Sequence, residues 1–378
     1  MKNFDRTWVQ IDLDAIAHNY QAIRRTFPGV QVMTVLKGNA YGHGIDGILP
    51  VCEQYADAYA VATVEEGLQI RKYGSKKPVL LFGPVPTVQI ALAAAEDLTF
   101  TVGDLFYAQL LNAQLQAAGL TATCHIKIDT GLNRTGIHWR ETTRQAALQD
   151  IITVHKLPNL QITGTYTHFA CPESEEEEDS RFTQAQFDRF LDACQAISQA
   201  GLPTGLRHCC ATGGALAHPE YRLDMVRLGM MVYGQCDTEE HKKQLDLCEA
   251  LCWKSRLIHI ESVAAGESIS YGRTYKTDKA TVIGVVSCGY ADGYRRCYQS
   301  FGRVSVAGKT VPVIGRICMD YLLLDLTDID EPSVGMEVVL LGSREEAGIS
   351  AITLAQAVDS VCGEVTGAIA SRVPRYYV

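Results

Sequence analysis

From the N-terminus to about Gly234, short apolar runs alternate with amphipathic stretches of helical period. Eight such runs lie near Val30 to Leu36, Ala58 to Ala62, Pro78 to Gly83, Leu98 to Val102, Cys124 to Asp129, Ile162 to His168, Leu206 to Ala211 and Val226 to Tyr233. They lack the polar alternation of half-exposed strands, so they read as buried parallel strands with helices supplying the crossovers. Eight strands separated by helices predict a (β/α)8 barrel of TIM type, an α/β fold of about 250 residues. Thr63-Val64-Glu65-Glu66 and Thr183-Gln184-Ala185-Gln186 both read as capping boxes that open helices. A helix predicted over Ala15 to Phe27 carries Ile16, Tyr20 and Ile23 on one face and Arg24 and Arg25 on another.

After Tyr233 the period changes. Short alternating strands take over at Arg256 to Val263, Ala280 to Val286, Arg303 to Val306, Val311 to Gly315 and Leu322 to Leu326, with Gly266, Gly272, Gly308 and Gly335 at turns. The chain therefore divides into a barrel domain, residues 1–240, and a C-terminal, mostly β domain, residues 241–378. Glu240 to Leu251 reads as a connecting helix or linker. Residues 7–13 alternate as a strand and are expected to pair with the C-terminal domain. The acidic run Glu175 to Asp179 reads as a solvated loop leading to a helix, because adjacent carboxylates repel one another and do not converge on an ion. No metal site is expected.

Composition narrows the partners. A formal charge of −9 over 378 residues, with a pI near 5.6, argues against nucleic acid or an anionic membrane and for a small-molecule substrate. The N-terminus has no apolar signal region and no run of some twenty apolar residues occurs, so neither export nor membrane insertion is expected. Thirteen cysteines without a Cys-x-x-Cys pair fit buried free thiols in a reducing cytoplasm.

In barrel enzymes the active site lies at the C-terminal ends of the strands. Lys37 leaves the first apolar run there and enters a polar, glycine-rich turn, a placement that demands a partner or a lowered pKa. A Schiff-base lysine held against a pyridoxal aldehyde is the commonest chemical reason for it. The segment Val35-Leu36-Lys37-Gly38-Asn39-Ala40-Tyr41-Gly42-His43-Gly44 closely resembles the cofactor-lysine motif of the alanine racemases, pyridoxal 5'-phosphate (PLP) enzymes that usually read VVKANAYGHG.

That resemblance extends along essentially the whole chain and implies roles for particular residues. Tyr41 becomes a phosphate ligand, where otherwise it would be a packed loop tyrosine. Lys127 to Gly136 resembles the family's K-x-D-T-G-M-x-R-x-G segment, which makes Arg134 the ligand of the cofactor's phenolic oxygen and the substrate carboxylate. Lys127 is a candidate for the carbamylation found in many members; alternatively it pairs with Asp129. Asn133 departs from the usual glycine or histidine. His168, in Thr167-His168-Phe169-Ala170, resembles the histidine stacked on the pyridine ring. In His208-Cys209-Cys210-Ala211-Thr212-Gly213-Gly214, Thr212 stands for the serine of the phosphate loop and Ala211 has lost the usual asparagine. Arg227 resembles the arginine at the pyridine nitrogen, with Gly229 and Met230 adding backbone donors to the phosphate. An arginine does not surrender its proton, which weakens the ring as an electron sink and favours racemisation over transamination.

In the β domain, Ser270-Tyr271-Gly272-Arg273 resembles the segment whose tyrosine, here Tyr271, is the second base and reaches the partner subunit's active site. Arg316-Ile317-Cys318-Met319-Asp320 matches R-x-C-M-D, placing Cys318, Met319 and Asp320 at the substrate carboxylate through the Met319 backbone donor. Tyr290, in Gly289-Tyr290-Ala291-Asp292-Gly293, would line the access channel. Before Arg372-Val373-Pro374-Arg375 stands Ser371, where a tyrosine that crowds the substrate is common.

The resemblance implies a homodimeric, PLP-dependent racemase that interconverts L- and D-alanine with two bases, Lys37 and Tyr271, supplying D-alanine for peptidoglycan. Ser371 keeps open a serine or broad-specificity racemase, because the smaller residue widens the pocket. A PLP-binding regulatory barrel would explain Lys37 but not Tyr271 or Cys318-Met319-Asp320, and a decarboxylase usually ends in other substrate motifs.

Overall fold

The computed structural model describes residues 6–236, 242–243, 245–342 and 349–378. Contacts group the chain into two units, one of Phe27–Ala40 and Leu49–Gly229, the other of Met1–Thr26, Tyr41–Ile48 and Met230–Val378.

In the first unit every expected apolar run forms a strand. Gln31–Val35, Ala58–Val61 and Val79–Leu81 pair in parallel, as do Phe100–Val102, Ala122–Asp129, Leu160–Tyr166 and Leu206–His208, while Met225–Leu228 pairs back onto Gln31–Val35. Two seams close the ring. At one, the Thr99 and Leu81 amides donate to Val79 and Thr99 carbonyls at 2.8 and 2.9 Å; at the other, the Asp224 and Arg227 amides donate to Arg207 and Cys210 carbonyls at 3.2 and 3.0 Å. A closed ring of eight parallel strands has no free edge, which is the (β/α)8 architecture. Its strands are apolar because both faces are covered: Val32, Tyr59, Ala60, Val79, Phe100, Ile126 and Val226 are all fully buried.

The Thr63 capping box forms as its sequence requires, with the Glu66 amide donating to Thr63 Oγ1 and the Thr63 amide to Glu66 Oε2, both at 3.3 Å. The second box does not open a helix. Glu177–Gln199 starts two turns earlier, behind Glu176, with Glu177, Glu178 and Asp179 in its first turn. Glu175 and Glu176 thus precede the helix, as expected, while Glu177 to Asp179 form its first turn, where carboxylates favour the positive end of the helix dipole. Thr183 and Gln186 turn inward instead: Thr183 Oγ1 donates to the Cys171 carbonyl at 3.3 Å and Gln186 Oε1 accepts from the Ala170 amide at 3.0 Å.

The second unit is built on Leu251–Val263, thirteen residues long, with a register shift between Leu257 and His259. The bend lets one strand pair with Glu337–Leu341 along its first half and with Thr281–Val286 along its second. From there the order Thr281–Val286, Leu322–Asp325, Lys309–Ile314, Arg303–Val306, Glu337–Leu341 returns to the long strand, so this sheet also closes. Thr7–Ile11 joins it antiparallel, Thr7 opposite Ser255, and Arg375–Tyr377 adds in parallel on the far side of Thr7–Ile11. Of the expected linker Glu240 to Leu251, residues 240, 241 and 244 lie outside the described residues, and 245–250 are turn and coil. Among the described residues no helix is long and apolar enough to cross a membrane, and no cluster of acidic, histidine and cysteine side chains could hold a metal ion.

Gly205 turns the chain into the strand Leu206–His208 at φ 61°, and a Cβ there would stand 2.2 Å from the Thr163 carbonyl group. Gly205→Ala is expected to lower unfolding stability by at least about 2 kcal/mol in a urea titration, from left-handed strain plus the clash.

Candidate active site

Lys37 sits where the buried strand Gln31–Val35 ends. The Leu36 amide still donates to the Ala60 carbonyl at 2.8 Å, after which Gly38, Asn39, Ala40 and Tyr41 form one left-handed turn with φ of 64°, 52°, 56° and 52°. Three consecutive L-residues in that region cost about 1–2 kcal/mol each. Glu66 helps to offset this: Oε1 accepts from the Asn39 amide at 3.1 Å and Oε2 from the Ala62 and Thr63 amides at 2.9 and 3.3 Å. Burial and then the Arg134 charge lower the Lys37 pKa below 10.5, with Glu66 in partial opposition.

Arg227 ends a neighbouring strand and is almost fully buried. Its Nη1 donates to His208 Nδ1 at 3.0 Å; Nη2 donates to His168 Nδ1 at 3.1 Å and to the Thr167 and Cys209 carbonyls at 2.9 and 2.8 Å. A guanidinium only donates, so both imidazoles must present a lone pair at Nδ1, and each is neutral with its proton on Nε2. His208 Nε2 then donates to His125 Nδ1 at 3.0 Å, which fixes the tautomer of the third ring. Burial, followed by the Arg227 charge, holds His168 down to about 2 and His125 down to about 4, and His208 falls in the same direction. Tyr166 stacks on His208 at 4.8 Å and 4°, anchored by Thr101 at 2.9 Å, and its ring faces both Lys127 Nζ and the Arg227 guanidinium at 5.7 and 5.4 Å.

Lys127 donates to Thr135 Oγ1 at 2.6 Å. Burial, then Arg134 and Arg227, push its pKa down to about 8, against the pull of Asp129. It forms no ion pair with Asp129, whose carboxylate is taken by Arg140 at 2.9 Å and by the Gly131 and Arg134 amides at 3.0 and 3.2 Å. Thr212 is buried and opens the short helix Thr212–Ala217, with Ala211 extended before it and supplying no side-chain cap. A Cβ at Gly213 would stand where the Glu173 carboxyl lies, so a side chain there would have to displace it. Gly229 directly follows the strand Met225–Leu228.

Lys37, Lys127, Arg134 and Arg227 therefore act on one another and on His168 through their charges. The bordering carboxylates Glu66 and Asp129 are already occupied by backbone amides and by Arg140. Such a concentration of cationic groups suits an anionic ligand, and a phosphate-bearing aldehyde fits it: a lysine of lowered pKa for the carbonyl carbon, donors for the anion, and a proton-saturated guanidinium for the ring nitrogen.

The remaining expected residues lie in the other unit. Tyr41 is raised to about 12 by burial and its ring lies 5.8 Å from Tyr233; Met230 opens the 3-10 turn Met230–Tyr233. Tyr271 begins the turn Tyr271–Arg273 and is 67% exposed. Ser270, at φ 61°, ties this turn down by donating to the Arg316 carbonyl at 2.6 Å, and its Oγ lies 3.8 Å from Cys318 Sγ. The Tyr290 and Ala291 amides donate to the Cys318 and Met319 carbonyls, both at 3.0 Å, so these two loops are locked together with Tyr290 and Met319 on the surface. Asp320 spends its carboxylate on Arg372 at 2.7 Å; Arg372 also holds the fully buried Asp292 at 2.8 Å, with Arg6 on the same carboxylate. Ser371 is exposed beside that cluster.

Sequence reasoning missed His125, Tyr166 and Glu66 as site residues and read His208 only as part of a loop. His125, Lys127 and Asp129 occupy alternate positions of Ala122–Asp129, so strand periodicity alone sets them on one face. Nothing comparable marks Glu66, whose capping role conceals its second one.

The family described as alanine racemase, N-terminal domain, matches residues 11–237, and alanine racemase, C-terminal domain, matches residues 250–377. The alanine racemase of Desulfosudis oleivorans is 39% identical, spanning 98% of this chain and 96% of its own; alanine racemase 2 of Caldanaerobacter subterraneus subsp. tengcongensis is 38% identical over 98% and 95%. Among solved structures, alanine racemase from Bacillus anthracis with bound L-Ala-P superposes with a TM-score of 0.90 at 32% identity, covering 99% of this chain and 95% of that one. The enzyme from D-cycloserine-producing Streptomyces lavendulae gives 0.91 at 32%, over 99% and 97%. With two domain matches that together span nearly its whole length, the chain belongs to the alanine racemase family.

Proposed function

We propose that this chain interconverts L- and D-alanine with Lys37 and Tyr271 as the two groups that move the Cα proton. The observation that carries this reading is the group of cations Lys37, Lys127, Arg134 and Arg227 acting on one another and on His168, with the neutral imidazoles of His168 and His208 bonded to Arg227. The family is PLP-dependent. Bound PLP supplies an electron sink that acidifies the Cα proton of an amino acid joined to it.

Lys37, lowered in pKa, would hold the aldehyde and serve as the base for the Cα proton on the D face. On the L face the partner subunit's Tyr271 takes that role, which requires a homodimer. The exposure of Tyr271, Tyr290, Met319 and Tyr321 supports this assembly, since a monomer would leave all four apolar side chains in water. Arg134 fixes the substrate carboxylate with two parallel donors, and the Cys318, Met319 and Asp320 loop adds a backbone donor. Tyr290 lines the approach. By the family resemblance Tyr41, Thr212, Gly229 and Met230 would hold the phosphate, and His168 would face the ring. Arg227 keeps its proton, because two imidazole lone pairs and two carbonyls surround it; beside a ring nitrogen it would donate a hydrogen bond without giving up that proton, which would favour return of the proton to Cα. The serine or broad-specificity alternative raised by Ser371 is not favoured, since the curated relatives and solved structures above are alanine racemases. Its thirteen free thiols support a cytoplasmic location, where D-alanine for peptidoglycan would be made.

Purified protein with added PLP is expected to form D-alanine from L-alanine; no turnover would overturn the reading. Tyr271→Phe should keep the cofactor's absorbance and slow exchange of the L-alanine Cα proton by about 100-fold or more. Exchange at the wild-type rate would remove Tyr271 from the mechanism.

We further propose that Lys127 is carbamylated, because a pKa near 8 leaves an appreciable fraction of its amine neutral at physiological pH. Only the neutral amine captures CO2, so capture rises as pH increases through that value. Protein depleted of CO2 in acid should regain activity under a fixed partial pressure of CO2, faster at pH 8.5 than at pH 7, and Lys127→Ala should show no such response. A CO2 response retained in Lys127→Ala would place the effect elsewhere.

A further inference from the structure

Arg140 lies outside the segments that carry the family resemblance, yet it grips both ends of the turn from which Arg134 projects. Its Nη1 donates to the Asp129 carbonyl at 2.5 Å and to the Trp139 carbonyl at 3.0 Å; its Nη2 donates to Asp129 Oδ1 at 2.9 Å and to Asn133 Oδ1 at 2.8 Å. The other Asp129 oxygen accepts from the Arg134 amide itself at 3.2 Å, and Oδ1 also accepts from the Gly131 amide at 3.0 Å. One guanidinium thus fixes the first residue of the turn through backbone and side chain, and the residue before Arg134 through its amide oxygen.

That last contact answers a local difficulty. Asn133 is held at φ 56°, a region that L-residues rarely occupy, although asparagine tolerates it better than most. Without an external hold the turn could relax toward right-handed geometry, and Arg134 would swing with it. The Asp129 side chain is almost entirely buried. Burial would raise its pKa, but the bonds from Arg140 and from the Asn133, Gly131 and Arg134 amides outweigh it and keep the acid below its usual value. The carboxylate therefore remains an acceptor for the Arg134 amide. Arg189 braces the same turn from outside by donating to the Thr130 carbonyl at 2.8 Å.

We infer that Arg140 is a positioning residue for Arg134: through Asp129 and Asn133 it sets the angle at which the Arg134 guanidinium meets the substrate carboxylate. The inference rests on the reading of Arg134 as that ligand. A lysine at 140, with a single nitrogen, could not hold the Asp129 and Asn133 side chains and the Asp129 and Trp139 carbonyls together.

Steady-state kinetics in both directions, cofactor absorbance and thermal midpoint should be measured on the loaded wild type, Arg140→Gln, Arg140→Lys, Arg134→Lys and Arg134→Lys/Arg140→Gln. Arg140→Gln is expected to raise KM for alanine about 10-fold with kcat little changed, the pattern of lost ground-state binding, and Arg140→Lys to raise it less. In the Arg134→Lys background the change at Arg140 should add no further rise, because coupled residues are not additive. Should Arg140→Gln not fold, Arg140→Lys and its double variant decide the matter. A raised KM in Arg134→Lys with wild-type KM in Arg140→Gln and Arg140→Lys overturns this inference alone. So do equal KM increments in both backgrounds, or a lowered thermal midpoint with unchanged KM. An unchanged KM in Arg134→Lys overturns the reading of Arg134, and the inference falls with it.

Discussion

The site depends on positive charge confined where water is scarce. Lys37, Lys127, Arg134 and Arg227 come from three different strand ends of one closed barrel and the turn after one of them, and each makes the charged state of the lysines and of His168 less favourable. Burial first, and repulsion between the charges second, make the protonated forms costly, so the groups that can lose a proton are driven to do so and the arginines are not. A nucleophilic amine, three neutral imidazoles and two permanent cations follow from the same causes. An anionic ligand would relieve that repulsion.

Keeping that charge unneutralised takes as much structure as assembling it. Glu66 and Asp129 border the cluster and would quench it if they turned inward. Glu66 is instead committed to the amides of Asn39, Ala62 and Thr63, where it closes a capping box and steadies the left-handed turn behind Lys37. Asp129 is committed to Arg140 and the amides of its own turn. Arg227 receives only neutral acceptors, from His168, His208 and two backbone carbonyls. Each potential counter-ion is thus spent on backbone geometry, and the same bonds that remove it position a cation.

Most of this was legible because barrel chemistry sits at strand ends. Apolar runs mark the strands, so the polar residues that end them, Lys37, Lys127, His168 and Arg227, stand out without any structure. What was not legible depends on side-chain partners distant in sequence. Thr183 and Gln186 have the letters of a capping box, but the Glu177 to Asp179 run starts the helix earlier and releases them to bind the Cys171 and Ala170 backbone. Asp320 looked like part of a substrate loop, yet its carboxylate belongs to an ion cluster with Arg372 and Asp292. His125 was passed over because a single histidine in an apolar strand is usually core, and only its bond to His208 shows that it ends a ladder begun at Arg227.

Competitive labelling of lysines in the cofactor-free protein tests the charge argument most directly. With a trace of acetic anhydride in CO2-free buffer, which leaves Lys127 as the amine, and the extent at each lysine read by mass spectrometry across pH, Lys37 and Lys127 should become reactive at lower pH than exposed lysines, with the Lys127 midpoint near 8 and that of Lys37 below 10.5. Midpoints for both that coincide with the exposed lysines would contradict the account, because the cations would then be too well solvated to act on one another.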